Sequence, residues 1–129
     1  MNERELALRR EIFEAFARTG EPPEVDDRET LSSLADQHVV VLGDDGRILM
    51  AHPFSAPRRD ATTVMSGGST WYGNCGWDGL GLVHAFGLEY ASVRSRDVAV
   101  RMWRGRPVDE ALFHVLVPAR DWWADPGYT

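Results

Sequence analysis

The stretch WYGNCGWDGLG, residues 71–81, contains the only cysteine of the sequence, Cys75, with Asp78 three positions later and four glycines around them. It overlaps the end of a predicted β-hairpin, in which the runs ATTVMS (61–66) and TWYG (70–73) flank a glycine-rich turn. A helix of about a dozen residues that ends at Gly87 is predicted to follow. This stretch therefore predicts a thiol and a carboxylate in the first turn of a helix that leaves a hairpin.

Further strands are predicted on the C-terminal side of this helix. The runs EYASVRS (89–95), VAVRMWRG (98–105) and LFHVLVPA (112–119) are rich in β-forming residues, and a turn is predicted at residues 105–107. Together with the hairpin, they predict a small mixed β-sheet packed on one central helix.

The N-terminal part predicts two helices and a hairpin. Residues 3–18 carry an apolar stripe of Leu8, Ile12, Ala15 and Phe16, and Gly20 ends that helix. A shorter helix is predicted over residues 30–37, followed by a hairpin in VVVLGDDGRILMA (39–51). This order predicts a shrunken winged-helix-like region.

The fold class predicted from these elements is α+β, in two parts. Residues 1–52 form the winged-helix-like region, and residues 53–129 form an α+β core that contains the helix with Cys75 and Asp78. The prolines of AHPFSAPRRD (51–60) predict a linker between the two parts.

Composition limits the class of protein. Of the 129 residues, 43% are hydrophobic and 26% are charged, which is typical of a globular domain. No apolar run approaches the ~20 residues needed to span a bilayer. The start MNERELALRREIFEAF has no signal-peptide pattern, so a cytoplasmic protein without a membrane partner is expected. The net charge of −6 argues against a nucleic-acid partner.

The pair Cys75 and Asp78 suggests chemistry on a small substrate. With Asn74 as the predicted N-cap, Cys75 is the first residue of the helix, where free N–H groups and the helix dipole lower a thiol's pKa. Asp78 lies on the same face, within about 5–6 Å. The alternative is structural: a cysteine that packs and an aspartate that interacts with the helix dipole.

A carboxyl group must be enclosed to keep a proton near neutral pH. Trp71, Tyr72 and Trp77 are predicted to supply an apolar enclosure, with Trp122 or Trp123 as further candidates. Helix glycines cost up to ~1 kcal/mol each relative to alanine. They therefore indicate that another element or a ligand approaches closely at Gly76, Gly79 and Gly81.

Three blocks of this sequence resemble consecutive blocks of the organomercurial (alkylmercury) lyase family: AHPFSA (51–56), WYGNCGWDGLG (71–81) and HVLVPARDWWADPGYT (114–129). The N-terminal helix and hairpin are also similar to that family's winged-helix-like region. The resemblance implies protonolysis of a carbon–mercury bond without a bound cofactor. Cys75 would attack mercury, which is substrate and product only, and Asp78 would give the proton to carbon. Trp71, Tyr72, Trp77 and Phe54 are predicted to border the substrate.

The resemblance also implies a second cysteine, directly after a Trp-x-Asp-x-x-x-Thr pattern. Trp123, Asp125 and Thr129 fit that pattern, and Thr129 is the last residue of the sequence. With one thiol in the sequence, small cytosolic thiols are expected as partners of the reaction, beside the organomercurial. Two alternatives stay open: the same pair acting on another small organic substrate, and a mercury- or thiol-binding module without turnover.

The four histidines do not show metal-ligand spacing, and no zinc-site pattern is present. His84 is nine residues after Cys75, so it is expected on the opposite side of the helix. His52, which precedes Pro53 and Phe54, has two interpretations: a residue that folding brings towards the site, and a structural hydrogen-bonding residue, which is the preferred one.

Overall fold

The N-terminal region consists of two helices. A computed structural model of the chain describes residues 1–112 and 118–124. Helix α1 (Glu3–Thr19) begins with a capping box between Asn2 and Glu5 and ends at Gly20, whose φ is 76°. Helix α2 (Arg28–Asp36) is capped by the Asp27 side chain. The predicted apolar stripe of α1 is buried, which confirms the periodicity.

A three-stranded antiparallel sheet follows, formed by β1 (Val41–Leu42), β2 (Ile48–Ala51) and β3 (Phe54–Ser55). The predicted hairpin between β1 and β2 is confirmed, with Gly46 at a positive φ of 76° in its turn. The prediction of a linker over residues 51–60 was wrong in part, because β3 pairs with β2 and both of its residues are buried. The proline signal was overridden by burial of the Phe54 ring.

Within residues 1–112 and 118–124, the larger sheet has five strands in the order β5-β4-β6-β7-β8. These are β4 (Thr62–Ser66), β5 (Ser69–Gly73), β6 (Tyr90–Ser95), β7 (Val98–Trp103) and β8 (Arg106–Pro107). All strand pairs among the described residues are antiparallel, whereas a mixed sheet was predicted.

The last predicted turn lies one residue earlier than expected. Arg104 and Gly105 make it with positive φ values of 49° and 74°, and Arg106 and Pro107 belong to β8. Residues 113–117 of the predicted strand LFHVLVPA lie outside the described residues, and a short 3₁₀ helix spans Ala119–Ala124.

The central helix α3 (Gly76–Ala85) connects β5 to β6 and packs on β4, β5 and β6. A Cβ at Gly79 would lie 2.7 Å from Cγ1 of Val93 and 2.8 Å from Cγ2 of Thr62. The element predicted to approach Gly79 closely is therefore the β-sheet. At Gly81, the nearest atom to such a Cβ is Cβ of Pro53, at an ordinary 3.9 Å.

One hydrophobic core joins the N-terminal helices to the large sheet and α3. Phe54 stacks on Phe16 with ring centroids 5.2 Å apart and lies 5.9 Å from Phe86. The Trp71 indole N–H donates to the Ala17 carbonyl at 2.8 Å. The predicted α+β class is confirmed. The predicted boundary after residue 52 falls between the paired strands β2 and β3, and the division into two domains stays a prediction.

Candidate functional site

Cys75 lies where β5 turns into α3. It is the N-cap of the helix, with an extended backbone (φ −141°, ψ 175°), and Gly76 is the first helical residue. The helix start at the thiol is confirmed, but the assignment of Asn74 as N-cap was wrong by one residue. The Cys75 sulfur and the Asp78 carboxylate form a capping box, in which each side chain faces the other residue's backbone N–H.

The predicted lowering of the Cys75 pKa is contradicted. Burial of the partly buried thiol raises its pKa, and the negative charge of Asp78 acts in the same direction. Hydrogen bonds from the backbone N–H groups of Asp78 and Trp77 oppose these effects, but they are outweighed. The helix terminus supplies the expected N–H donors, so the error lay in the desolvation of the thiol, which depends on the tertiary structure.

Asp78 turns its carboxylate back towards the start of the helix. Its Oδ2 accepts the backbone N–H of Asn74 at 3.1 Å and that of Cys75 at 3.3 Å. The side chain is 15% exposed, so it is largely enclosed. A Cβ at Gly73 would lie 2.9 Å from Cβ of Asp78, which explains why β5 ends in a glycine. The carboxylate is thereby fixed next to the thiol.

His52 approaches this carboxylate from the β2–β3 hairpin. Its Nδ1 lies 3.8 Å from Oδ2 of Asp78. The Trp123 ring meets the His52 ring edge-on, with centroids 5.5 Å apart, and stacks on His38 at 4.5 Å. Folding thus brings His52 to the site, which was the less favoured of its two interpretations, and it brings Trp123 of the last described helix beside it.

Arg58 supports the residue before the thiol, and sequence reasoning missed this role. Its guanidinium donates to the side-chain oxygen of the buried Asn74, and its Nε lies 3.2 Å from Asp60. Arg58 lies in the segment that was predicted to be a linker. A cation within a proline-rich segment does not by itself predict such a contact.

The four predicted substrate-bordering aromatics are not gathered at one place. Trp77 is 64% exposed on α3, Tyr72 is partly buried on β5, and Trp71 packs on Phe86. Phe54 is buried in the core and lines a groove of about 520 Å³ between α1 and α3. The described residues that line this groove do not include Cys75 or Asp78. A substrate role for these aromatics stays a prediction.

His84 lies away from the thiol. A Cβ at Gly105, in the turn between β7 and β8, would lie 3.0 Å from Cε1 of His84. In the described part of the chain, no group of three or more His, Cys, Asp or Glu residues is placed to hold a metal ion. None of the helices within residues 1–112 and 118–124 is long and apolar enough to cross a membrane.

The fold has a counterpart among solved structures. The chain is similar to the mercury-bound form of MerB2, with a TM-score of 0.63 and 18% sequence identity. The match covers 84% of this chain and 60% of that one, so this chain spans less than two thirds of the length of its structural neighbour. No protein-family model and no curated protein matches the sequence significantly. At this identity, the likeness shows a shared fold.

Proposed function

We propose that this protein is an organomercurial lyase-like enzyme that cleaves carbon–mercury bonds by protonolysis. The observation that carries the proposal is the capping box at the start of α3, which holds the only thiol of the sequence against a largely enclosed carboxylate. The fold shared with a mercury-bound protein supports the proposal, as does the resemblance of the Cys75 block to the organomercurial lyase family.

The reaction begins at Cys75. Its sulfur displaces the anionic ligand of an organomercurial and forms a sulfur–mercury bond. The mercury–ligand bond breaks with its electron pair on the ligand, and the thiol proton passes to that anion or to water. Thiolate sulfur suits a soft metal such as mercury. The raised pKa of Cys75 does not prevent this step, because mercury replaces the proton on sulfur.

Asp78 then completes the cleavage as general acid. The carbon–mercury bond breaks, its electron pair forms a bond to the proton of Asp78, and the hydrocarbon leaves. Mercury stays on Cys75 and Asp78 becomes a carboxylate. Before this cleavage, a small external thiol, as its thiolate, supplies a second sulfur to mercury, which makes the bound carbon basic enough to accept the proton. The same sulfur stays on mercury afterwards and allows the metal to be carried away.

The test compares the unchanged chain with Cys75→Ser and Asp78→Asn. Phenylmercury is the probe, intact mass spectrometry measures the adduct, and chromatography measures the benzene released in the presence of excess thiol. The unchanged chain is expected to form a one-to-one adduct and release benzene. Cys75→Ser is expected to lose both, and Asp78→Asn to form the adduct but release benzene at least about 100-fold more slowly. An absent adduct, or Asp78→Asn releasing at the full rate, would contradict the proposal.

A mercury-binding module without turnover is the second candidate. It is favoured by the single cysteine of the sequence, because one thiolate activates the carbon–mercury bond less than two do. An adduct at Cys75 without benzene release, with or without external thiol, would select this candidate.

A further inference from the structure

The tip of the β2–β3 hairpin lies along the first turns of α3. Only His52 and Pro53 connect the two strands, since Ala51 pairs directly with Phe54. His52 reaches Asp78. One helical turn further on, the atom nearest to a Cβ at Gly81 belongs to Pro53. The hairpin is thus set against the helix in a register that directs an imidazole at the carboxylate.

The hydrogen bonds of Asp78 raise the question of how this side chain regains its proton after each turnover. Its Oδ2 accepts two backbone N–H groups, an arrangement suited to a carboxylate acceptor. General-acid catalysis uses up one proton at this side chain in each turnover. The carboxylate is largely enclosed, with 15% of the side chain exposed, so a more exposed neighbouring group that exchanges protons with water is suited to resupply it.

We infer that His52 is a positioning residue that resupplies the proton of Asp78, an inference that rests on the proposed function. Its Nδ1 is 3.8 Å from Oδ2, a separation that a small side-chain rotation or one water molecule bridges. Its side chain is 37% exposed, which lets the ring exchange protons with solvent. Imidazole is suited to this task because it gains and loses protons between about pH 5 and 8.

The proton balance of this step is simple. After Asp78 has protonated the leaving carbon, the imidazolium of His52 gives its Nδ1 proton to the Asp78 carboxylate. The neutral imidazole then takes a proton from water. The Trp123 edge contact holds the ring in place. Among the described residues, the titratable groups beside the pair are the thiol of Cys75, whose backbone N–H donates to the same carboxylate, and His38 on the other side of Trp123.

The experiment uses His52→Ala and His52→Gln in the full chain, with phenylmercury as the probe and excess external thiol. Both variants are expected to form the Cys75 adduct at the unchanged rate and to release benzene at least about tenfold more slowly. Free imidazole added to the medium is expected to restore release in His52→Ala, where the truncated side chain leaves room for it. His84→Ala is the matched control, and neither the substitution nor imidazole is expected to alter its rate.

The possible results separate this inference from the proposed function. If the unchanged chain releases no benzene, the proposed function fails and this inference fails with it. If the unchanged chain releases benzene and His52→Ala does so at the same rate, only the role of His52 is overturned. A slower variant that imidazole does not restore, with adduct formation slowed as well, would show that His52 is a packing residue.

Discussion

Gly79 of α3 lies directly against Val93 of β6. A Cβ at residue 79 would lie 2.7 Å from Cγ1 of Val93, which is shorter than any normal carbon–carbon contact. This contact sets the distance between the first turn of α3 and the sheet. Cys75 and Asp78 stand on that turn, so the position of the candidate site depends on a residue without a side chain.

We expect Gly79→Ala to destabilise the fold by about 1–3 kcal/mol, because the added methyl group overpacks the helix–sheet contact. Urea unfolding measures this loss of free energy. Gly81→Ala is the matched control, since its Cβ would meet Pro53 at an ordinary 3.9 Å. Without overpacking, alanine is expected to leave this variant as stable or to stabilise it by up to ~1 kcal/mol. Equal effects at both positions would contradict the packing argument.

The thiol of Cys75 is expected to react as a buried thiol. Its raised pKa predicts that the alkylation rate reaches half its maximum above the ~8.5 of a free cysteine. The same chain unfolded in urea is the internal control, because no other thiol is present. A midpoint in the folded chain at or below the unfolded one would refute the burial argument.

The same pKa shift predicts how stability depends on pH. A thiol whose pKa is higher in the folded than in the unfolded state stabilises the fold below the unfolded value, and this contribution is lost as pH rises through the folded value. The unchanged chain is therefore expected to lose stability relative to Cys75→Ser above about pH 8.5. Urea unfolding at a series of pH values measures the difference, and parallel curves would contradict the prediction.

Local signals in the sequence predicted most of the secondary structure. The stripe on α1, the glycine turns of both hairpins and the helix after Asn74 act over a few residues, so periodicity and turn chemistry are sufficient to find them. β3 was missed because Phe54 is held by rings from distant elements. The Cys75 pKa was wrong for a similar reason, since desolvation depends on which elements cover the thiol. The contacts of Asp78 with His52 and of Asn74 with Arg58 also depend on the tertiary fold, because each joins residues from different elements.

The ion pair between Arg101 and Asp109 gives a prediction away from the candidate site. The hydrogen bonds from the Arg101 guanidinium, the closest at 2.7 Å, and from its backbone N–H lower the pKa of Asp109 to about 2. The pair's contribution to stability is therefore present above the unfolded value of ~3.9 and is lost as pH falls through the folded value.

Arg101→Gln is expected to raise the pKa of Asp109 towards ~3.9, but not fully, because the backbone N–H of residue 101 still donates to the carboxylate. Carboxyl ¹³C NMR titration measures the change. Arg94→Gln, an exposed arginine on the neighbouring strand β6, is the control and should leave Asp109 unchanged. The same titration curve in all three proteins would show that the guanidinium does not hold the carboxyl group.

The last prediction concerns the second sulfur. A carbon bound to mercury becomes basic enough to accept a proton as thiolate sulfur donates electron density to the metal, and Cys75 is the single sulfur donor of this kind in the sequence. We therefore expect benzene release from the phenylmercury adduct to be slow without external thiol and to rise with thiol concentration until it saturates. The adduct is formed and measured before thiol is added, because it needs only Cys75 and free thiol would compete with that residue for phenylmercury. Asp78→Asn separates two roles of the added thiol: if thiol acts by donating sulfur, it cannot restore release in this variant, since the proton donor is missing. Rapid release without thiol would instead mean that a ligand other than cysteine completes the coordination of mercury. Release in Asp78→Asn on addition of thiol would mean that the proton comes from the thiol and not from the carboxyl group.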